Sequence, residues 1–164
     1  MDDIRAPMDV AAVAAPEIDF AILADRAEVL HNKLYLMGGA WDSTYVVNFR
    51  QPCFICLAVG VLIPWNAANI THELTMQIES ADATRLMPEL RTSVTAGRPP
   101  TAVVGQSFRT LLTINAQVIL PGPGAYVAVV QVAQSPIKRV VFYANQAQAT
   151  RFSGTFDAPL EGLR

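Results

Sequence analysis

At 164 residues the chain is long enough for one domain with a sizeable core, so its stability calls for neither a disulfide framework nor a structural metal. Apolar residues make up 52% and charged residues only 16%, well below the ~25% usual in soluble domains, which is more apolar surface than one small core ordinarily hides. A net charge of −2 without a basic stripe argues against nucleic acid as the main partner, and no apolar run approaches the ~18 residues of a membrane span.

Residues 1–17 carry Pro7, Pro16 and small side chains without period, and read as a flexible N-terminal arm. The acidic start Met1-Asp2-Asp3 is unlike a secretory signal, so the expected location is the cytoplasm. Residues 19–25 read as a first strand with Phe20, Ile22 and Ala24 on one face, although residues 24–30 are also compatible with a short helical turn. His31, Asn32 and Lys33 break the pattern. A second strand follows over 33–37 and ends at Gly38-Gly39. Residues 44–49 are β-branched and aromatic, favouring extended structure. Residues 54–63 are apolar at nearly every position, as in a strand covered on both faces. Residues 72–79 alternate cleanly, with Leu74, Met76 and Ile78 opposite Glu73, Thr75, Gln77 and Glu79.

Residues 91–96 form a candidate edge strand before a proline-rich loop at 97–105. Alternation resumes over 109–120, and Pro121-Gly122-Pro123-Gly124 makes a sharp turn. Residues 126–132 and 137–143 pair as a hairpin. From residue 145 the pattern dissolves into a polar, small-residue arm. About eight strands, turn signals between them and no long helix predict an all-β, antiparallel sandwich over 18–144, of the immunoglobulin-like kind.

Three stretches carry a resemblance. They are residues 19–25 followed by 33–42 (Lys-Leu-Tyr-Leu-Met-Gly-Gly-Ala-Trp-Asp), Ile63-Pro64-Trp65, and Pro121-Gly-Pro-Gly-Ala-Tyr126. Over 18–144 the chain resembles a family of short bacterial β-sandwich proteins known only as a domain of unknown function. The resemblance supports the fold and brings no activity with it. A Gly-x-Tyr opening a late strand is also common in immunoglobulin-like sandwiches, where the tyrosine hydroxyl pins a corner; Tyr126 is assigned that role.

No catalytic motif emerges: there is no Gly-x-Ser-x-Gly, no phosphate loop and no His-Glu-x-x-His, and no cofactor or metal is expected. Cys53 and Cys56 form a Cys-x-x-Cys, but positions three apart in a strand face opposite sides, so two structural thiols are expected instead of a redox pair. His31 and His72 read as solvated loop residues. Asp19, Asp25 and Asp42 read as turn-capping or solvated groups, and Arg91, Arg98 and Arg109 as a solvated loop face with an anion site as the alternative. Trp41 and Trp65, with Arg98 nearby, are a candidate platform for a small ligand such as a carbohydrate; corner packing is the competing explanation.

The excess apolar surface collects in the last hairpin, whose two faces both look apolar. Val127, Val129, Val140 and Phe142 are therefore candidate interface residues, with Phe152, Phe156 and Leu160 as anchors in the C-terminal arm. The expected function is a non-enzymatic interaction or structural module that self-assembles through sheet faces and terminal arms or binds another protein, with a small-ligand-binding sandwich as the alternative.

Overall fold

The computed structural model describes residues 14–148. Nine strands occupy them: β1 (Glu17–Leu30), β2 (Lys33–Gly39), β3 (Ser43–Val46), β4 (Cys53–Ile63), β5 (His72–Ser80), β6 (Leu90–Val94), β7 (Phe108–Val118), β8 (Gly124–Val132) and β9 (Lys138–Gln146). The one helical element among the described residues is a 3-10 turn at Trp65–Ala67. A four-stranded sheet in the order β2-β1-β4-β7 packs on a five-stranded sheet in the order β3-β9-β8-β5-β6. The neighbours β1-β4-β7 and β5-β8-β9 correspond to the A-B-E and C-F-G strands of an immunoglobulin-like sandwich.

Alternation decides which side chains fill the space between the sheets. Leu57, Val59 and Val61 of β4 meet Leu74, Met76 and Ile78 of β5 and Ala128 and Val130 of β8 in one core. All strand pairs but one are antiparallel; β3 runs parallel to β9, with Ser43 opposite Tyr143 and Val46 opposite Gln146. The first strand continues through residues 24–30 as extended chain, with no helical turn there, because pairing with β2 runs on to Leu30 opposite Lys33. His72 opens β5 and donates from Nε2 to the Ala67 carbonyl at 2.9 Å, so it is half-buried and not a solvated loop residue.

Two of the interface candidates point the wrong way for that role. Tyr126 pairs with Phe142 and Ala128 with Val140, so Phe142 and Val140 share the inward face of the hairpin. Phe142 is fully buried and Val140 packs against the core. The outward face carries Val127, Val129, Val141 and Tyr143 instead. The reason is parity: side chains paired across a ladder point to the same side, and Val127 opposes Val141, not Val140.

Part of the apolar excess is absorbed on the other sheet. Ala24, Ala27, Cys56 and Ala58 form a second buried cluster with Leu34, separate from the main core. Pairing of β1 with β4 stops at Ala24, while the β1–β2 hairpin goes on to residue 30. Beyond Ala24 the hairpin curls across the outer face of β4, and residues 26–30 share a cleft with Thr113 and Asn115 of β7. Gly38 sits at the bend with φ +56, where a Cβ would collide with the Asp25 side chain. The outer face of β4 is therefore covered by its own chain at Cys56 and Ala58, whereas Phe54 on the same face stays 74% exposed.

Candidate functional site

The hairpin β8–β9 and edge strand β3 place an uncharged strip on the outer face of the five-stranded sheet. Val127 lies opposite Val141, Ala125 opposite Tyr143, and Tyr143 opposite Ser43 on β3, with Tyr45 two residues further along. Tyr45 is 74% exposed, Val141 50% and Tyr143 51%. Val129 is on this face but buried, in the ladder between Gln77 of β5 and Arg139 of β9. Arg139 bridges to Glu79 at 3.1 Å, and Gln77 donates to the other Glu79 oxygen at 2.5 Å. This largely buried acid closes one end of the strip with its charge matched. Sequence reasoning found Val127 but missed Tyr45, Val141 and Tyr143 as one surface, since β3 joins the sheet only by a long-range parallel pairing. Phe152, Phe156 and Leu160 lie outside the described residues.

The tryptophans do not share a platform. Trp41 follows β2 and packs edge-on against Phe142, with ring centroids 5.9 Å apart and its Nε1 buried without a hydrogen-bond partner among the described residues. Trp65 sits in the 3-10 turn beside Phe108, centroids 6.1 Å apart. Arg98 lies over its indole at 4.2 Å and donates to the Trp65 carbonyl at 2.5 Å. Trp65 and Arg98 are thus brought together, and Arg98 occupies one face of the ring a ligand would stack on.

Two of the three candidate anion-site arginines are held in local ion pairs. Arg109 pairs with Asp19 at 2.7 Å, and Arg91 with Glu89 at 2.7 Å and Glu73 at 3.3 Å, so the three arginines do not converge. Among the described residues, no group of three or more His, Cys, Asp or Glu is placed to hold a metal ion. Cys53 donates its thiol to the Val118 carbonyl at 3.3 Å, whereas Cys56 lies in the outer cluster, on the opposite face of β4. Both thiols are free, and burial pushes both above the usual thiol value. Tyr126, also buried, donates its hydroxyl to the Gly122 carbonyl at 2.5 Å, tying the start of β8 to the turn before it.

A second surface lies along the opposite edge of the sandwich. There β6 and β7 border an open cleft of 510 Å3 that continues into another of 500 Å3 through Thr95, Thr110 and Leu111. None of the described helices is long and apolar enough to cross a membrane. Compared with known proteins, residues 19–145 match the model of a family described as a family of unknown function (DUF6941). No curated protein matches the chain.

Proposed function

The chain belongs to the DUF6941 family, a family of unknown function, and we propose that it is a non-enzymatic, cytoplasmic interaction module that pairs with a second copy of itself through the outer face of the five-stranded sheet. The observation that carries this reading is the strip Tyr45–Tyr143–Val141–Val127, uncharged and solvent-facing on a sheet whose other face is the core. A two-layer sandwich leaves such an outer face polar unless something covers it. A twofold contact brings the strip against itself, and a strip without charge meets its copy with no like-charge repulsion. Two free thiols on opposite faces of β4 support a reducing compartment. The alternative, a small-ligand site at the tryptophans, has less support, because Trp41 packs into the core and Arg98 covers Trp65.

Light scattering on a sizing column tests the reading. The full chain is expected to run as a dimer at micromolar concentration, and the double substitution Tyr45→Lys with Val141→Lys to run as a monomer with an unchanged melting temperature. A full chain that stays monomeric across that range overturns self-association through this face.

A further inference from the structure

Three loops share the end of the sandwich where β4, β6 and β8 finish: residues 64–71, 95–107 and 133–137. Register puts them there together, since Ile63 pairs with Phe108, His72 with Val94 and Leu74 with Val132. Each loop carries an exposed aliphatic side chain. Ile70 and Ile137 are about half exposed, Val103 is 71% exposed and Val104 83%, the highest value for a large apolar side chain among the described residues. All four stand outside the clefts beside β6 and β7, so they suit a broad surface better than a small ligand or a single strand.

The valines are held in their exposed position by hydrogen bonds. Gln106 donates its N–H to the Val103 carbonyl at 3.0 Å, and its Oε1 accepts the Val103 N–H at 3.2 Å. Gly105 takes the third position of this turn with φ +86, as a type II turn requires. The base of the loop is tied to its neighbour: the Arg98 N–H donates to Asn69 Oδ1 at 3.0 Å, and the Asn69 N–H to the Ala96 carbonyl at 2.8 Å. A turn fixed in this way gives up little freedom when its apolar tip is buried against something else.

Charge indicates what that something is. The three loops contain no aspartate or glutamate, while Arg98 lies in the second and Lys138 directly follows the third. Among the described residues neither cation lies within ion-pair distance of a carboxylate. Of the acids at this end, Glu73 and Asp19 are paired with Arg91 and Arg109, which leaves Glu17. Beside the loop tips Trp65 is half-buried under the Arg98 guanidinium. Tryptophan and arginine both suit the boundary between apolar and polar layers, because each joins an apolar body to a polar end.

We infer that this end of the sandwich docks on an anionic phospholipid surface, with Ile70, Val103, Val104 and Ile137 entering its apolar margin and Arg98 and Lys138 facing its phosphates. Anionic lipid is concentrated in the leaflet that faces the cytoplasm, the compartment proposed above. The inference uses neither the strip on the five-stranded sheet nor self-association.

Flotation of the full chain with lipid vesicles tests it. The protein is expected to float with vesicles of phosphatidylcholine and phosphatidylglycerol in equal parts, and to bind pure phosphatidylcholine roughly tenfold more weakly or less. The double variant Val103→Ser, Val104→Ser keeps the charge unchanged and is expected to lose roughly tenfold or more in affinity. Lys138→Gln is expected to lose roughly fivefold. Phe54→Ser, an equally exposed apolar site at the far end of β4, is expected to bind as wild type does. The valine variant should keep the wild-type melting temperature and, without vesicles, the wild-type solution mass, so that a failure of docking is read apart from a failure of self-association. No flotation with the anionic vesicles, equal binding to both vesicle types, or equal losses from the valine variant and Phe54→Ser would each overturn the inference.

Discussion

Tyr126 is the residue whose chemistry is most sharply defined. Its ring is buried against Phe142, with centroids 5.7 Å apart, and its hydroxyl finds the Gly122 carbonyl four residues upstream. Removing the hydroxyl leaves that carbonyl short of a donor, so Tyr126→Phe is expected to cost about 1 kcal/mol, read as a lower thermal midpoint; an unchanged melting curve would deny the hydroxyl its pinning role. The two thiols make a prediction of opposite character. Burial holds both above the ordinary value of 9.0, which favours the neutral form in the folded state. Their contribution to stability is thus fully present below the unfolded pKa and fades as pH rises through the folded one. Native protein should accordingly alkylate slowly at pH 8 and accelerate only at more alkaline pH, whereas denatured protein reacts at once. Labelling with iodoacetamide followed by mass spectrometry checks this, and rapid native labelling at pH 8 would contradict it.

Among the elements, the β1–β2 hairpin behaves least like an ideal strand pair. Its first half belongs to the sheet and its second half lies over it, closing the cluster of Ala24, Ala27, Cys56 and Ala58. Small residues are needed there because a backbone passes close above β4. A related close approach occurs at Gly60, where the Phe20 ring takes the space a side chain would fill. Gly60→Ala is expected to destabilise by roughly 1–3 kcal/mol through overpacking, measured by urea denaturation. In the Phe20→Ala background the same substitution should cost much less, since the obstructing ring is gone; strictly additive costs would show that the ring does not rest on Gly60. The hairpin β8–β9 shows the opposite behaviour. Both of its faces are apolar, yet cross-strand parity assigns Phe142 and Val140 to the core and Val141 and Tyr143 to the surface.

At the scale of the whole molecule, the uncharged strip on β3, β8 and β9 and the cleft between β6 and β7 sit at opposite edges of the sandwich. The lysine substitutions at Tyr45 and Val141 should change the solution mass and leave the melting temperature where it is. The sequence by itself determined the fold class and most strand positions, because period-two alternation, glycine and proline punctuation and long apolar runs are local signals, as in β4, β5 and β7. It also determined that Tyr126 opens a late strand after a Gly-Pro-Gly turn. Only the tertiary structure decided that Val140 and Phe142 face inward, that Trp41 and Trp65 keep separate company, and that Tyr45 joins Tyr143 and Val141 in one strip. These depend on register between strands as far apart in sequence as β3 and β9. A one-residue shift of register exchanges the two faces of a strand, so a chain that is apolar on both faces leaves the choice to its pairing partners.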